Sequence, residues 1–304
     1  MLEYRLARAT AAATFVLLVI GGMVHATGSS LACPDWPLCY GQFFPAMEGG
    51  VLFEHGHRLV ALSVSVLTLA LAVTVWRRRR ETAVRAGALL ALGLVLFQAS
   101  LGALTVIWKL PLVVSSGHLA TSMAFFSLLV WLTWRLSPAP ADGLARGAAP
   151  RGLAGAAALA VYLQIVLGAL VRHTSSGLAC GTEVILCQGA AWPLGGPAQL
   201  VTLHRFAGVA VAVLVVLASW SALGSGLPRA RRAALVAPVL VVAQVLLGAW
   251  TVWSMISVPV VSLHLGVGAL LLADTLLLFL LLGPQPSTQA APGERLPGLA
   301  TAAG

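Results

Sequence analysis

Residues 54–76 read Glu54-His55-Gly56-His57-Arg58 and then the apolar run LVALSVSVLTLALAVTVW. A carboxylate, two imidazoles and a guanidinium stand at the head of a stretch that, as a helix, crosses a bilayer; crossing takes roughly 20 residues. Ionisable groups at such a position are costly and are kept for function. On a helix Glu54 and His57 share a face, because residues three apart are neighbours. His55 and His57, two apart, point to nearly opposite sides, so at most one of them looks comfortably into a bundle.

The rest of the chain is of the same kind. Of 304 residues 59% are hydrophobic and only 9% charged, and the mean hydropathy is +0.95. That composition excludes a soluble domain and predicts an all-α polytopic membrane protein. Eight spans are expected, at about 10–27, 54–76, 86–107, 113–134, 153–173, 201–222, 233–254 and 258–282. Lys109-Leu110-Pro111 reads as a tight turn, and the connections 28–53 and 174–200 are long. The tail 284–304, rich in Pro, Ala and Gly, is expected to be disordered. Arg5 and Arg8 precede the first span, and no small-residue cleavage site follows it, so that span is expected to be retained in a bacterial-type chain.

The net charge of +9 does not point to nucleic acid, because the basic residues sit in short clusters between spans. Arg5, Arg8, Arg77 to Arg80, Arg85, Arg135, Arg146, Arg151, Arg229, Arg231, Arg232 and Arg295 fall on one side, 14 of the 18 Lys and Arg. Positive residues gather on the cytoplasmic side, so both termini are expected there, in a bacterial inner membrane. The other side keeps Arg58, Lys109, Arg172 and Arg205, with both long loops and all four cysteines. An oxidising exterior permits disulfides. Cys33 with Cys39 and Cys180 with Cys187 are the expected bridges, since the pairs are similarly spaced and placed.

The second half echoes the first. Gln98-x-x-Leu101-Gly102-Ala103-x-Thr105-Val106 recurs as Gln244-x-x-Leu247-Gly248-Ala249-x-Thr251-Val252. Leu31-Ala32-Cys33 recurs as Leu178-Ala179-Cys180, His57-Arg58 as His204-Arg205, and His118-Leu119 as His264-Leu265. The offsets are 147 (57 to 204) and 146 (118 to 264). The expectation is two tandem four-helix bundles of the same orientation: 1–135 and 153–283, joined by a cytoplasmic linker at 136–152. An even number of spans per unit makes the repeat parallel.

The repeat sorts the histidines. His57, His118, His204 and His264 have repeat partners; His25, His55 and His173 do not, and read as interfacial or hydrogen-bonded residues. Each paired histidine lies about one turn inside the outer end of the second or fourth helix of its unit. Two imidazoles on facing helices can hold a flat metal macrocycle from both sides. A bare zinc or copper ion would want more ligands at that depth than the spans supply. Arg58 and Arg205, each directly after a histidine, suit the anionic groups of a haem. Leu101-Gly102-Ala103 and Leu167-Gly168-Ala169 let helices approach closely and also make room for a haem face. Asp274, in the cytoplasmic half of the last span, has no evident partner in the sequence.

The symmetry breaks at Glu54, whose repeat equivalent is Val201. An electron-carrying haem needs only ligands and a dry pocket, whereas chemistry on a bound molecule wants a proton acceptor or a stabiliser of positive charge. The first unit therefore reads as the reaction site and the second as a redox-cofactor site. Pairing of Glu54 with Arg58, four residues on, is the plain alternative.

These features resemble the heme A synthase family: four paired histidines, Glu54-x-x-His57, cysteine pairs in both outer loops and two four-helix halves. The resemblance runs over most of residues 5–282. It implies an enzyme that oxidises a porphyrin-ring methyl of haem O to a formyl group through an alcohol, giving haem A for terminal oxidases. It further implies that His57 and His118 ligate the substrate haem O, with Arg58 beside it, and that His204 and His264 ligate a haem b, with Arg205 beside it. Glu54 serves the oxidation in that scheme, as a proton acceptor or a stabiliser of a cationic intermediate. The implied partners are haem O, membrane lipid, a quinol or another electron partner, a haem O-producing enzyme and further copies in a homo-oligomer. A di-haem b-type quinol electron-transfer protein without substrate conversion is the competing reading; it calls for two equivalent haem sites.

Overall fold

The computed structural model describes residues 1–138 and 151–283. Arg146, Arg295, most of the linker 136–152 and the tail 284–304 lie outside the described residues. Among the described residues the regular structure is helical: α1 (Leu2–Ala26), α2 (Gly49–Arg78), α3 (Thr82–Ile107), α4 (Leu112–Arg135), α5 (Arg151–His173), α6 (Gly196–Leu223), α7 (Pro228–Trp253) and α8 (Val258–Leu281), with one 3-10 turn at Ser176–Leu178. All eight are long and apolar enough to cross a membrane. Helices are the form that satisfies every backbone group where no water is available.

The helices match the expected spans and run past them. α1 begins at Leu2 rather than 10, and α6 at Gly196 rather than 201. Hydropathy marks only the hydrocarbon-facing stretch, while backbone hydrogen bonding continues through the polar interface. Ion pairs tie the start of α1 to the end of α2, and the start of α3 to the end of α4. Glu3 is buried and pairs with Arg79 at 3.2 Å, and Glu81 pairs with Arg135 at 2.6 Å.

α1 packs on α2 and α4, α2 on α3, and α3 on α4; α5 to α8 repeat the same ring. The two rings meet where α1 and α4 lie against α8 and α4 against α5. This is the packing expected of two tandem four-helix units. Small side chains line the contacts, among them Ala7, Ala88 and Ala91 in the first half and Ala157, Ala230 and Ala237 in the second. They let backbones close up where lipid offers no hydrophobic drive. Large apolar residues face outward instead, such as Leu62, Val66, Val239 and Leu246. That is the reverse of a soluble protein and fits a lipid surround.

The turns repeat as well. Lys109 and Leu110 take positive φ of 54° and 62°, and Met255 and Ile256 take 53° and 62°. Each pair closes its turn with an amide bonded back to a threonine carbonyl, Leu110 to Thr105 and Ile256 to Thr251. Both outer loops carry their expected disulfide, Cys33–Cys39 and Cys180–Cys187. In each loop the second cysteine forms a bridge with a residue three on, Gln42 or Ala190.

Candidate functional site

Four imidazoles project into the two rings at the loop-bearing end. His57 on α2 and His118 on α4 are close enough to interact electrostatically, and so are His204 on α6 and His264 on α8. All four are half-buried. Nδ1 of His57, His118 and His264 is sealed from solvent with no hydrogen-bond partner, and Nδ1 of His204 lies 3.1 Å from Gln164 Nε2. An orphaned buried nitrogen is costly unless something completes it.

Each ring rests on a glycine of the preceding helix in the ring. A Cβ built on Gly21 comes within 3.1 Å of His57 Cε1, and one on Gly168 within 3.1 Å of His204 Cε1. The same construction gives 3.6 Å from Gly102 to His118 and 3.3 Å from Gly248 to His264. Gly21 and Gly168 are 147 positions apart, like the histidines they face. The repeat therefore places an imidazole against a bare backbone four times. Gly102 and Gly168 were legible as space-makers in the sequence. Gly21 was not singled out, although the offset that pairs the histidines also pairs it with Gly168.

Glu54 is 4% exposed and its two oxygens are shared between two elements. Oε1 accepts from Arg58 at 2.6 Å, and Oε2 accepts from the backbone N–H of Cys33 at 2.8 Å. The ion pair expected as the plain alternative is thus present, and it is buried. Arg58 also donates to the carbonyls of Asp35 (2.7 Å), Leu38 (2.5 Å) and Cys33 (3.5 Å). Its guanidinium is occupied in pinning the first outer loop onto α2. Arg205 differs. It makes one long contact, to Leu186 O at 3.3 Å, and its second terminal nitrogen is buried without a partner. At Val201, the equivalent of Glu54, the second loop packs through apolar contact with Cys180 and Cys187.

His55 has a loop role the sequence did not reveal. It is 3% exposed, its Nε2 lies 2.8 Å from Phe43 O, and a ring nitrogen lies within 4.8 Å of both sulfurs of Cys33 and Cys39. Those sulfurs are bridged to each other. His25 and His173 meet across the seam as a tilted ring pair, centroids 4.6 Å apart, and Arg172 donates to His25 O at 3.0 Å. Oδ2 of Asp274 is buried without a hydrogen-bond partner among the described residues. In the first loop Asp35 accepts from the N–H groups of Gly41 (2.8 Å) and Tyr40 (2.7 Å). Those donors, Gly41 first, and the charge of Arg58 hold its carboxyl below the usual carboxylate range.

The family model described as cytochrome oxidase assembly protein matches residues 4–52 and 49–276. The chain belongs to this family. Family members similar to it include the heme A synthase of Bacillus pumilus, 31% identical over 69% of this chain and 72% of the relative. The heme A synthases of Halalkalibacterium halodurans and Symbiobacterium thermophilum are each 33% identical. They cover 67% and 70% of this chain, and 70% and 72% of their own lengths. The family resemblance read from the histidines and Glu54 is thereby borne out.

The side chains present in each half are of the kind that can hold a haem. Each half carries two imidazoles, on its second and fourth helix, with buried ring nitrogens and a glycine against each ring. Among the described residues the only cluster of three metal-type side chains is Cys33, Cys39 and His55, and its sulfurs are spent on the disulfide.

Proposed function

We propose that the chain is a heme A synthase of the bacterial membrane, oxidising a ring methyl of haem O to a formyl group to give haem A for terminal oxidases. The observation that carries this is two imidazole pairs in a family of heme A synthases, only one of which has a carboxylate beside it.

His57 and His118 hold the substrate haem in the first half; His204 and His264 hold a haem b in the second. A bound haem b supplies one-electron oxidation and reduction at that site. The chain does the rest. Glu54 has both oxygens fixed, each with a lone pair to spare, so it presents negative charge at a defined place beside the substrate. There it stabilises positive charge that develops during oxidation or takes up a proton. Arg58 acts through the loop it pins, closing the reaction pocket from outside. Arg205, with a buried donor free, is the arginine suited to an anionic haem edge. Turning the methyl into a formyl group takes one oxygen atom, from water in this scheme, and releases four electrons and four protons, so the reading needs an electron acceptor such as a quinone and a source of haem O in the same membrane. Both termini lie in the cytoplasm and both pockets lie in the outer half of the membrane, under the two long loops.

The test is haem extraction and chromatography from cells that make haem O, with and without this chain. Haem A is expected only with it. Bound haem with no haem A in any amount would instead establish a di-haem electron carrier.

A further inference from the structure

We infer that Ser115 is a second polar residue of the reaction pocket. Its hydroxyl binds the alcohol that forms on the porphyrin-ring methyl and so retains that intermediate for its second oxidation. The inference rests on the reading of the first half as the reaction site and of the second as the seat of a resident haem.

The residue three before each paired histidine carries the argument. It is Glu54 for His57, Ser115 for His118, Val201 for His204 and Val261 for His264. On a helix that residue lies on the histidine's side, one turn nearer the outer loops. α2 and α4 each pack on both α1 and α3, so they stand across the first ring from one another; α6 and α8 stand likewise in the second. At this depth the first half therefore carries a polar group on both histidine-bearing helices, and the second half carries valine on both. The asymmetry at Glu54 is one member of a pair.

Ser115 makes no use of its hydroxyl within the protein. It is 6% exposed, and its Oγ is buried without a hydrogen-bond partner. Helical serines and threonines commonly bond back to the carbonyl four residues earlier. Thr121, Ser122, Ser127 and Thr133 on the same helix do so, at 2.7 or 2.8 Å. Ser115 does not; only its amide reaches Pro111 O, at 2.9 Å.

The reaction supplies the missing partner. A ring methyl forms no hydrogen bond, so the substrate leaves this serine idle. The first oxidation takes an oxygen atom from water, passes two electrons to the quinone-type acceptor, releases two protons and leaves a CH2OH group on the ring. The second removes two more electrons and two more protons to give the formyl group. Between the two steps the pocket must keep an alcohol that could otherwise leave. A serine hydroxyl both donates and accepts, as an alcohol does, whereas the Glu54 carboxylate only accepts. A group that is unpartnered with the methyl and partnered with the alcohol holds the intermediate more tightly than the substrate. The second pocket converts nothing, and valine suffices there.

The experiment uses full-length protein in detergent with its resident haem. Haem O, and the alcohol isolated from cells, are titrated into wild type, Ser115→Ala and Ser116→Ala. Ser116 is the control: its hydroxyl is equally buried and unpartnered, but two residues from His118 it does not share that histidine's face. Ser115→Ala is expected to bind haem O as wild type does and the alcohol about tenfold more weakly, the scale of one lost hydrogen bond. In cells that make haem O, the extracted ratio of alcohol to haem A is expected to rise by about the same factor. Ser116→Ala is expected to match wild type in both measurements. Equal weakening toward haem O and the alcohol, an unmoved ratio, or the same shift from Ser116→Ala overturns the role of Ser115. Wild type that makes no haem A sinks the underlying reading, and the role of Ser115 with it; wild type that makes haem A while Ser115→Ala leaves the ratio unmoved sinks the serine alone.

Discussion

Glu54 concentrates the difference between the halves in one side chain. Its ion pair with Arg58 is mostly buried, with side-chain exposures of 6% and 13%. Removing one member of a buried pair leaves an uncompensated charge, at a cost of about 3–5 kcal/mol. The partly exposed Glu81–Arg135 pair is in the class worth about 0–1 kcal/mol. Glu54→Ala therefore tests two things at once, and Glu54→Gln separates them. Glutamine keeps the shape of the side chain and one acceptor oxygen, for Cys33 N–H or Arg58 but not both, while losing the charge. Glu54→Gln is expected to retain bound haem and to lower haem A yield at least tenfold, read by extraction and chromatography. Glu54→Ala is expected to lower the melting temperature as well. Full haem A yield from Glu54→Gln would remove the carboxylate from the chemistry.

At the scale of elements, helix spacing around each imidazole is set by glycine. Gly168→Ala places a methyl 3.1 Å from His204 Cε1, and Gly21→Ala does the same at His57. In a packed bundle the ring must move, so Gly168→Ala is expected to cut resident haem at least by half, measured by the pyridine haemochrome. Gly21→Ala is expected to spare the resident haem and reduce haem A. Loss of resident haem from Gly21→Ala alone would reverse the roles of the pockets. The first outer loop carries a pH prediction. The folded-state pKa of Asp35 is depressed, so its contribution is present above the unfolded value of about 3.9 and disappears as pH falls through the folded one. Amide exchange at Tyr40 and Gly41, corrected for intrinsic rate, is expected to show constant protection from neutral pH to about pH 4 and loss below it. Protection that declines already between pH 7 and 5 would mean another group controls the loop. Legibility also differed at this scale. Span positions showed in hydropathy because lipid selects apolar surface, while α1 extends to Leu2 through the charged Glu3, Arg5 and Arg8, and α6 to Gly196 through a Gly-Pro start that reads as loop.

Across the whole molecule the same helix packing and a few motifs recur in both halves, while most side chains differ. The rings meet along α1, α4, α5 and α8. Across that seam Tyr162 donates to Ala120 O at 3.1 Å and Arg172 to His25 O. Orientation is a property of this scale and has a direct test. The chain has no free cysteine, so a single introduced one reports its side. Leu194→Cys, at a position 92% exposed in the second outer loop, is expected to react with a membrane-impermeant maleimide in intact cells. Arg80→Cys, between α2 and α3, is expected to react only after lysis. The opposite pattern would invert the topology.

Composition, hydropathy and the internal repeat by themselves determined an eight-span membrane protein in two like halves, its four paired histidines and the asymmetry at Glu54. Those properties are periodic or local: apolar runs must match bilayer thickness, and duplicated ligands recur at a constant offset. Only the tertiary structure decided what each charged group spends its hydrogen bonds on. Arg58 and Arg205 sit identically in the sequence repeat, yet one is exhausted by loop carbonyls and Glu54 while the other keeps a buried donor unspent. Likewise Gln98 and Gln244 share a motif, and Ser122 against Gly268, on another helix, sends one to a hydroxyl and leaves the other at an imidazole. A side chain's partner comes from a distant part of the chain brought near by packing, and no spacing along the sequence encodes that choice.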